Sequence, residues 1–494
     1  MDISTTPLLR RVAWPGIAAA AAGGLLGGCQ SYERAPLDLA SHRDTIESRL
    51  DAAESINAFL NRLDESGGDT PDGFDPTDGL SSAEGEVLAL FYNADLRLAR
   101  LAAGVALADY ETAGLWEDPE FGFDGAEILS PSGPFEYGLA LNFTVPISGR
   151  LGVAKDRAGA SYEAELRRIV DAEWSMRARV RSAWAAWTVA DERVRLLNDM
   201  IGQVERIGSI TDRLQEAGEL TRIEARLIRA ELVQTRGRLA QAEFAASQAR
   251  VDLLGLLGLP PSTEIELIPS LSPSESVSFT DELHRLIEAN TSLAVRRAEY
   301  QTAEESLRLE IRKQYPDITI GSGYGSEDND DRLLLGLSLP IPILNANRAG
   351  IAEARAQRDV ARAAAEITFE QLTRELATTN AAIIAAGTQL EAFETQLVPM
   401  LEEQSREVEK LIDFGEVDTL ILLETVSRRF EVKSQLLDLR LAVLNAEIER
   451  MRLLGPDQPK PPAPIEPAIK YDTTETNTPY TAARGDTPAE EASP

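Results

Sequence analysis

Soft metal ligands and imidazoles are scarce in this chain of 494 residues, which holds one cysteine, two histidines and five methionines. A single thiol cannot close an internal disulfide, and His42 and His284 lie far apart in the sequence, each without a neighbouring thiol or histidine. Basic charge is short too: the formal net charge of −32 leaves no footprint for a nucleic-acid backbone and opposes adsorption to an acidic lipid surface. Aromatic residues make up 6%, and Ala, Leu, Glu and Arg dominate, a mix that favours long helices meeting along stripes over a compact enzyme core. The sequence contains no GxxxxGK[ST], HExxH or CxxC, and Gly321-Ser322-Gly323-Tyr324-Gly325 sits inside a strand-like run, so it is no phosphate loop. The chain is therefore read as a non-enzyme with neither a metal site nor a cofactor. Past residue 28 no apolar run is long enough to cross a membrane as a helix.

What is present starts at the N-terminus. Arg10 and Arg11 precede an apolar run over residues 12–26, a pattern expected of a signal peptide at 1–28. Leu26-Gly27-Gly28-Cys29 resembles a bacterial lipobox. That resemblance implies cleavage before Cys29, a diacylglycerol on its sulfur and an acyl chain on its new amino group, and Gln30 in the next position implies sorting to the outer membrane. Several acyl chains hold a protein on a bilayer where one alone would be marginal.

The mature chain is written twice. Asn93-Ala94-Asp95-Leu96 matches Asn290-Thr291-Ser292-Leu293 at an offset of 197, and Pro119-Glu120-Phe121 matches Pro316-Asp317-Ile318 at the same offset. Ala217-Gly218-Glu219-Leu220 with Phe414-Gly415-Glu416-Val417, and Leu256-Leu257-Gly258 with Leu453-Leu454-Gly455, keep it as well. Each copy should open with one amphipathic helix, over 81–114 and 281–314, the first with a capping box at Ser81-Ser82-Ala83-Glu84. Two strands should follow, at about 119–125 and 135–146, then about 316–325 and 332–342. Phe135, Tyr137, Leu139, Leu141, Phe143 and Val145 share one face, and Leu333, Leu335, Leu337, Leu339 and Ile341 do the same in copy two. Runs of about ten residues can cross a bilayer as tilted barrel strands, or can form an ordinary sheet packed on a helical core.

Very long helices are expected next, over 152–216 and 347–413, each on the order of 100 Å. Heptad steps mark their seams: Val180, Trp184, Trp187, Val194, Leu197, Ile201 and Val204 in one, Ile383, Ala386, Leu390, Phe393, Leu397 and Met400 in the other. Gly202 and Pro399 hold equivalent places and predict bends. Gly218 and Gly415 should end the helices and begin antiparallel hairpin tips far from the strands.

Asn93-x-x-Leu96-Arg97-x-Ala99-Arg100, Tyr315-Pro316-Asp317-Ile318-Thr319, Leu339-Pro340-Ile341-Pro342 and Gly218-x₄-Ile223-Glu224, in this order, resemble the outer-membrane efflux proteins of the TolC type over about residues 81–455. The resemblance implies a mainly α protein with a β-barrel part. It implies a homotrimer whose twelve strands form one outer-membrane barrel, with the long helices making a hollow α-barrel through the periplasm of a Gram-negative cell. It further implies a periplasmic adaptor docking on the hairpin tips, at Gly218 and Gly415, and an inner-membrane transporter behind it; Glu219, Glu416 and Asp418 beside them are either adaptor contacts or N-terminal helix charges stabilised by the macrodipole. Acidic residues just past the tip glycines would form the gate; by position these are Glu224 and Glu424. The sequence departs from the family at Ile412, Val417 and Ile421, where an aromatic, a basic and an acidic residue are usual, so a tip lock of the usual polar kind is not expected.

The expected division is signal peptide 1–28, lipidated segment and linker 29–80, first copy 81–260, linker 261–280, second copy 281–455, and a disordered Pro-rich acidic tail 456–494. One amphipathic stretch, 46–63, lies ahead of the Gly/Asp-rich residues 67–79. A lipid-anchored periplasmic scaffold or adaptor without its own pore is the alternative reading; an adaptor should carry a single hairpin between β-rich halves. Substituting Cys29→Ser should abolish incorporation of radiolabelled palmitate, and continued labelling of that variant would refute the lipobox reading.

Overall fold

A computed structural model describes residues 32, 34–65, 71, 73–127, 129, 135–271, 282–327, 330–413 and 418–456. Cys29, Gly415, Glu416 and Val417, together with the tail from 457, lie outside the described residues. The chain divides between Arg49 and Leu50 into two units. The first contributes helix α1, Leu39–Glu47, whose N-cap Asp38 accepts from the N–H groups of Ala40 and Ser41.

In the second unit the elements run α2 (Ala53–Glu65), α3 (Ser82–Tyr92), α4 (Ala94–Thr112), β1 (Glu120–Ala126), β2 (Glu136–Val145), α5 (Arg150–Ala217) and α6 (Arg222–Leu257). The second copy gives α7 (Glu282–Ala289), α8 (Thr291–Arg312), β3 (Ile318–Glu327), β4 (Asp330–Ser338), α9 (Arg348–Ala392), a π turn (Phe393–Leu397), α10 (Val398–Asp413) and α11 (Thr419–Leu454).

The opening helix of each copy is not continuous, as its periodicity predicts, but breaks at an asparagine. Asn93 Oδ1 accepts from the N–H groups of Asp95 and Leu96, so it caps α4, while its Nδ2 donates to the Leu256 carbonyl at 3.0 Å. Asn290 repeats both acts, capping α8 through Leu293 N–H and donating to the Leu453 carbonyl at 2.8 Å. Because these carbonyls stand in the last turn of α6 and α11, each short helix is set end to end with the descending one, giving rods α6/α4 and α11/α8. The crossing is tight. Gly258 and Gly455 follow the descending helices at φ near +74°. A Cβ on Gly258 would stand 2.7 Å from the Tyr92 carbonyl oxygen, and one on Gly455 would overlap that of Ala289.

Helix α5 packs on both rods, and α9 packs on α8 and α11. The order across the helical layer is thus rod α6/α4, then α5, then rod α11/α8, then α9. The largest core lies where α3, α5 and the end of α6 meet. Trp184 is fully buried there, its indole N–H donating to the Ile268 carbonyl at 3.0 Å, with Gly85 leaving room for its ring. Ile56 and Leu60 of α2 and Phe74 join this core. Asn57 pins Phe74 by bonds of 3.0 and 3.1 Å in both directions. The end of the Gly/Asp-rich stretch is therefore held by the core. Leu80 N–H and Ile268 N–H tie it to the segment after α6.

The two long helices differ. Helical bonding runs unbroken through Gly202 in α5, whereas copy two passes through the π turn just ahead of Pro399, with Val398 N–H donating to the Phe393 carbonyl. A π turn inserts one residue into the helix, and one extra residue rotates the remainder of the helix by about 100°. The seam accordingly continues at Leu401, 7% exposed, while the expected Met400 is 62% exposed. Replacing Asn290 by Ala would leave a buried carbonyl unpaired and uncap α8. The expected loss is about 1–3 kcal/mol, read as a lower denaturation midpoint of the detergent-solubilised protein; an unchanged midpoint would remove the asparagine from this role.

Candidate functional site

The four strands make one antiparallel sheet in the order β1-β2-β3-β4, with the copies joined at β2–β3. Register sets Phe123, Leu139, Tyr324 and Leu333 in one row and Phe121, Leu141, Ser322 and Leu335 in the next; Phe143, Ile320 and Leu337 form a third. Alternation puts these rows on one face. The other face carries Gly122, Ala140, Gly323 and Leu334, then Asn142, Gly321 and Gly336, then Thr144, Thr319 and Ser338, so it is small and polar but for Leu334. The apolar face is bare: Phe121, Leu333, Leu335 and Leu337 are all exposed, Leu335 to 80%. In water such a face would be an aggregation hazard. Among the described residues the outer strands β1 and β4 each leave one side of the backbone ladder open. β4 stops at Ser338 because Pro340 and Pro342 lack the N–H a ladder needs.

At the foot of the sheet a polar latch joins the copies. Arg150, in the first turn of α5, donates to Asp317 at 2.5 Å and to Glu117 at 2.7 Å, and Ser148 N–H donates to Asp317 at 3.2 Å. The bonds to Glu117 and then Asp317 raise the Arg150 guanidinium above its ordinary range, against burial. Burial pushes the Asp317 carboxyl up, but the bonds from Arg150 and Ser148 outweigh it and hold the group below the usual value.

The far end is the hairpin tip, about 100 Å away along α5. Gly218 sits in the left-handed region at φ 80°, its N–H and that of Glu219 returning to the Gln215 and Leu214 carbonyls. Thr221 then begins α6 with a capping box. Its hydroxyl accepts from Glu224 N–H at 3.3 Å, and Glu224 Oε2 accepts from Thr221 N–H at 2.9 Å and from the hydroxyl at 2.7 Å. These bonds, the hydroxyl's first, hold the Glu224 carboxyl below its ordinary value; burial and the nearby charge of Asp418 work against them. At the second tip Asp418 occupies the place of Thr221, 197 residues on, and caps α11 through the N–H groups of Leu420 and Ile421. No box forms there, because Ile421 stands where Glu224 would be. Glu219 and Glu424 are both exposed, and Ile207, Ile228 and Leu422 pack the two tips side by side.

Of the tip residues singled out from sequence, Gly218, Glu219, Glu224, Asp418 and Glu424 come together at this end of the helical layer. Cys29, Gly415 and Glu416 fall outside the described residues. Sequence reasoning misses Thr221, although Thr221-x-x-Glu224 has the spacing of a capping box. It misses Arg150 because the partners of that residue lie 33 and 167 residues away, which no local pattern reveals.

A family model described as outer membrane efflux protein matches residues 87–259 and 283–456. The chain is 22% identical over 317 residues to the cobalt-zinc-cadmium resistance protein CzcC of Cupriavidus metallidurans, covering 64% of this chain and 76% of that protein. Among solved structures it resembles CusC at a TM-score of 0.66 and 18% identity, over 76% of this chain and 92% of that one. The open-state MtrE channel of Neisseria gonorrhoeae gives 0.63 and 18%, over 75% and 88%.

The lowered carboxyls set a pH dependence. A group whose folded pKa is depressed contributes stability that is complete above its unfolded value and lost as pH falls through the folded one. From starting values of 4.5 for Glu224 and 3.8 for Asp317, tip and latch should hold at pH 5 and loosen only in stronger acid. At neutral pH, Thr221→Ala should speed amide exchange in the first turn of α6 on the order of fivefold; unchanged exchange there would show that the box does not hold the tip.

Proposed function

This chain belongs to the outer membrane efflux protein family, and we propose that it is the exit duct of a tripartite export system, a conduit rather than a catalyst. The observation that carries this reading is the open four-stranded sheet with a bare apolar face and two unpaired edges. Four strands cannot close on themselves, and open edges are not tolerated in lipid. Copies must therefore share strands, and three copies of a four-stranded sheet give the twelve-stranded barrel of the family. The apolar rows then face lipid. The rows of Gly, Ala, Asn and Thr, with Leu334 the one large apolar residue among them, face a water-filled lumen, the alternation of a membrane barrel.

Below the barrel the helical layers form the periplasmic tube, and its tips receive the adaptor, with Gly218, Glu219, Gly415, Glu416 and Asp418 in the docking zone. The inner-membrane transporter supplies cargo. Cys29 carries the lipid that fixes the chain to the outer membrane. Glu224 and Glu424 supply the acidic throat, on unequal terms: Glu424 stands outside the Asp418 cap, while Glu224 is bonded into its own box and keeps its negative charge through it. Like charges gathered about an axis attract cations and repel one another. In this reading cargo is chosen by the pump; the relative named for cobalt, zinc and cadmium resistance makes divalent cations the first cargo to test.

Purified protein reconstituted in planar bilayers should give discrete pores that prefer cations. Anion preference would count against the acidic throat, and the absence of any conductance would count against the duct itself.

A further inference from the structure

The first turns of α11 carry a charged stripe that the packing leaves open. Glu424, Arg428 and Glu431 are exposed, while Thr419, Leu422, Thr425 and Val432 turn to the packed side. At about 100° per residue, Ile421, Glu424, Arg428 and Glu431 fall within an arc of about 80°. Whatever surface Glu424 meets, Arg428 therefore meets as well, about 6 Å farther along the helix. Arg428 faces Glu431 at 3.7 Å, with both side chains more than half exposed. So open a pair is held loosely, and both ends stay available to passing ions.

The stripe belongs to copy two. Taking the 197-residue offset from each number turns Glu424 into Leu227 and Arg428 into Glu231. Glu231 is drawn back onto α6, where it accepts from the Thr235 hydroxyl and from Arg238 at 3.4 Å each. Copy two thus sets a carboxylate and a guanidinium on open surface, where copy one has an apolar side chain and a carboxylate bonded to its own helix.

We infer that Arg428 sets the ion selectivity of the throat, as a basic tier between two acidic ones. The inference rests on the throat proposed above, in which Glu424 gathers about the duct axis. Cyclic symmetry brings like residues to one level, so the copies stack tiers of Glu424, Arg428 and Glu431, and Ile421 below them adds no charge. The charged tiers span about 10 Å of helix, no more than the screening length of about 10 Å at 0.1 M salt. A passing ion therefore feels their sum. The Arg428 tier cancels one acidic tier, and the charge of a single acidic tier is left. That remainder favours cations. The cancellation also lets a doubly charged cation leave, since conduction needs a site that is as easy to quit as to enter. Two acidic tiers with nothing between them would hold such an ion.

The test uses full-length chain in planar bilayers, with reversal potentials read in a potassium chloride gradient. Arg428→Gln should raise the potassium-to-chloride permeability ratio on the order of tenfold. The magnesium concentration that halves the current should fall by a similar factor. Arg428→Lys, which keeps the charge, should match the unaltered chain, and Glu424→Gln should shift the ratio the opposite way, toward chloride. An unchanged ratio in Arg428→Gln pores that still conduct would overturn the basic tier and leave the duct standing. So would Arg428→Lys pores that behave like Arg428→Gln, because charge would then not be the cause. Should Arg428→Gln fail to insert, a Glu424→Gln ratio equal to that of the unaltered chain would overturn the tier just as well. No conductance from the unaltered chain would bring down the duct, and the tier with it.

Discussion

Two buried asparagine amides hold the architecture together. Asn93 and Asn290 each do two things that no apolar residue can do at once: the oxygen caps a rising helix, and the nitrogen satisfies a carbonyl in the last turn of a descending one. Without that bond a helix end would be buried with an unpaired acceptor, an arrangement proteins avoid. With it, two short helices become one rod on each side of a long helix, and the chain can build a layer whose length far exceeds its thickness. The glycines at 258 and 455 are the counterpart on the other strand of the crossing, since only a missing Cβ lets the backbones approach so closely.

The copies have diverged where their surroundings differ. Copy one buries Trp184 and Trp187 in a core enlarged by α2 and Phe74, whereas the corresponding core of copy two is made of leucines such as Leu286, Leu372 and Leu376. Copy one caps its tip with a reciprocal box and copy two with a lone aspartate. The π turn in copy two adds a residue to the seam at the level where Arg440 of α11 reaches Glu394 at 2.7 Å.

Much of this architecture is legible in the order of residues alone. The duplication, the alternation of the strands and the tip glycine Gly218 are local or periodic signals, and each arises from a backbone requirement that restricts residue type: a helical repeat, a pleat, a positive φ. The breaks at Asn93 and Asn290 are hidden, although the Asn motif itself is plain, because a helix interior and a helix junction show the same hydrophobic period. Periodicity puts Met400 in the seam for a similar reason. A constant heptad presumes a constant twist, and one inserted residue changes it. Glu224 reads as a free pore charge because its partner is a neutral threonine, which no charge pattern would flag.

Residues close together in the chain, or spaced at a fixed period, are enough to specify the repeated unit, the alternation of the strands and the strongly acidic charge. The faces left over are a matter of long-range packing. Whether Leu98 and Val295, equivalent in sequence, end exposed or covered depends on which helix lies beside each, and that is a contact between residues far apart in the chain. The assembled layer alone decides which faces are covered within the chain and which edges of the described sheet stay open.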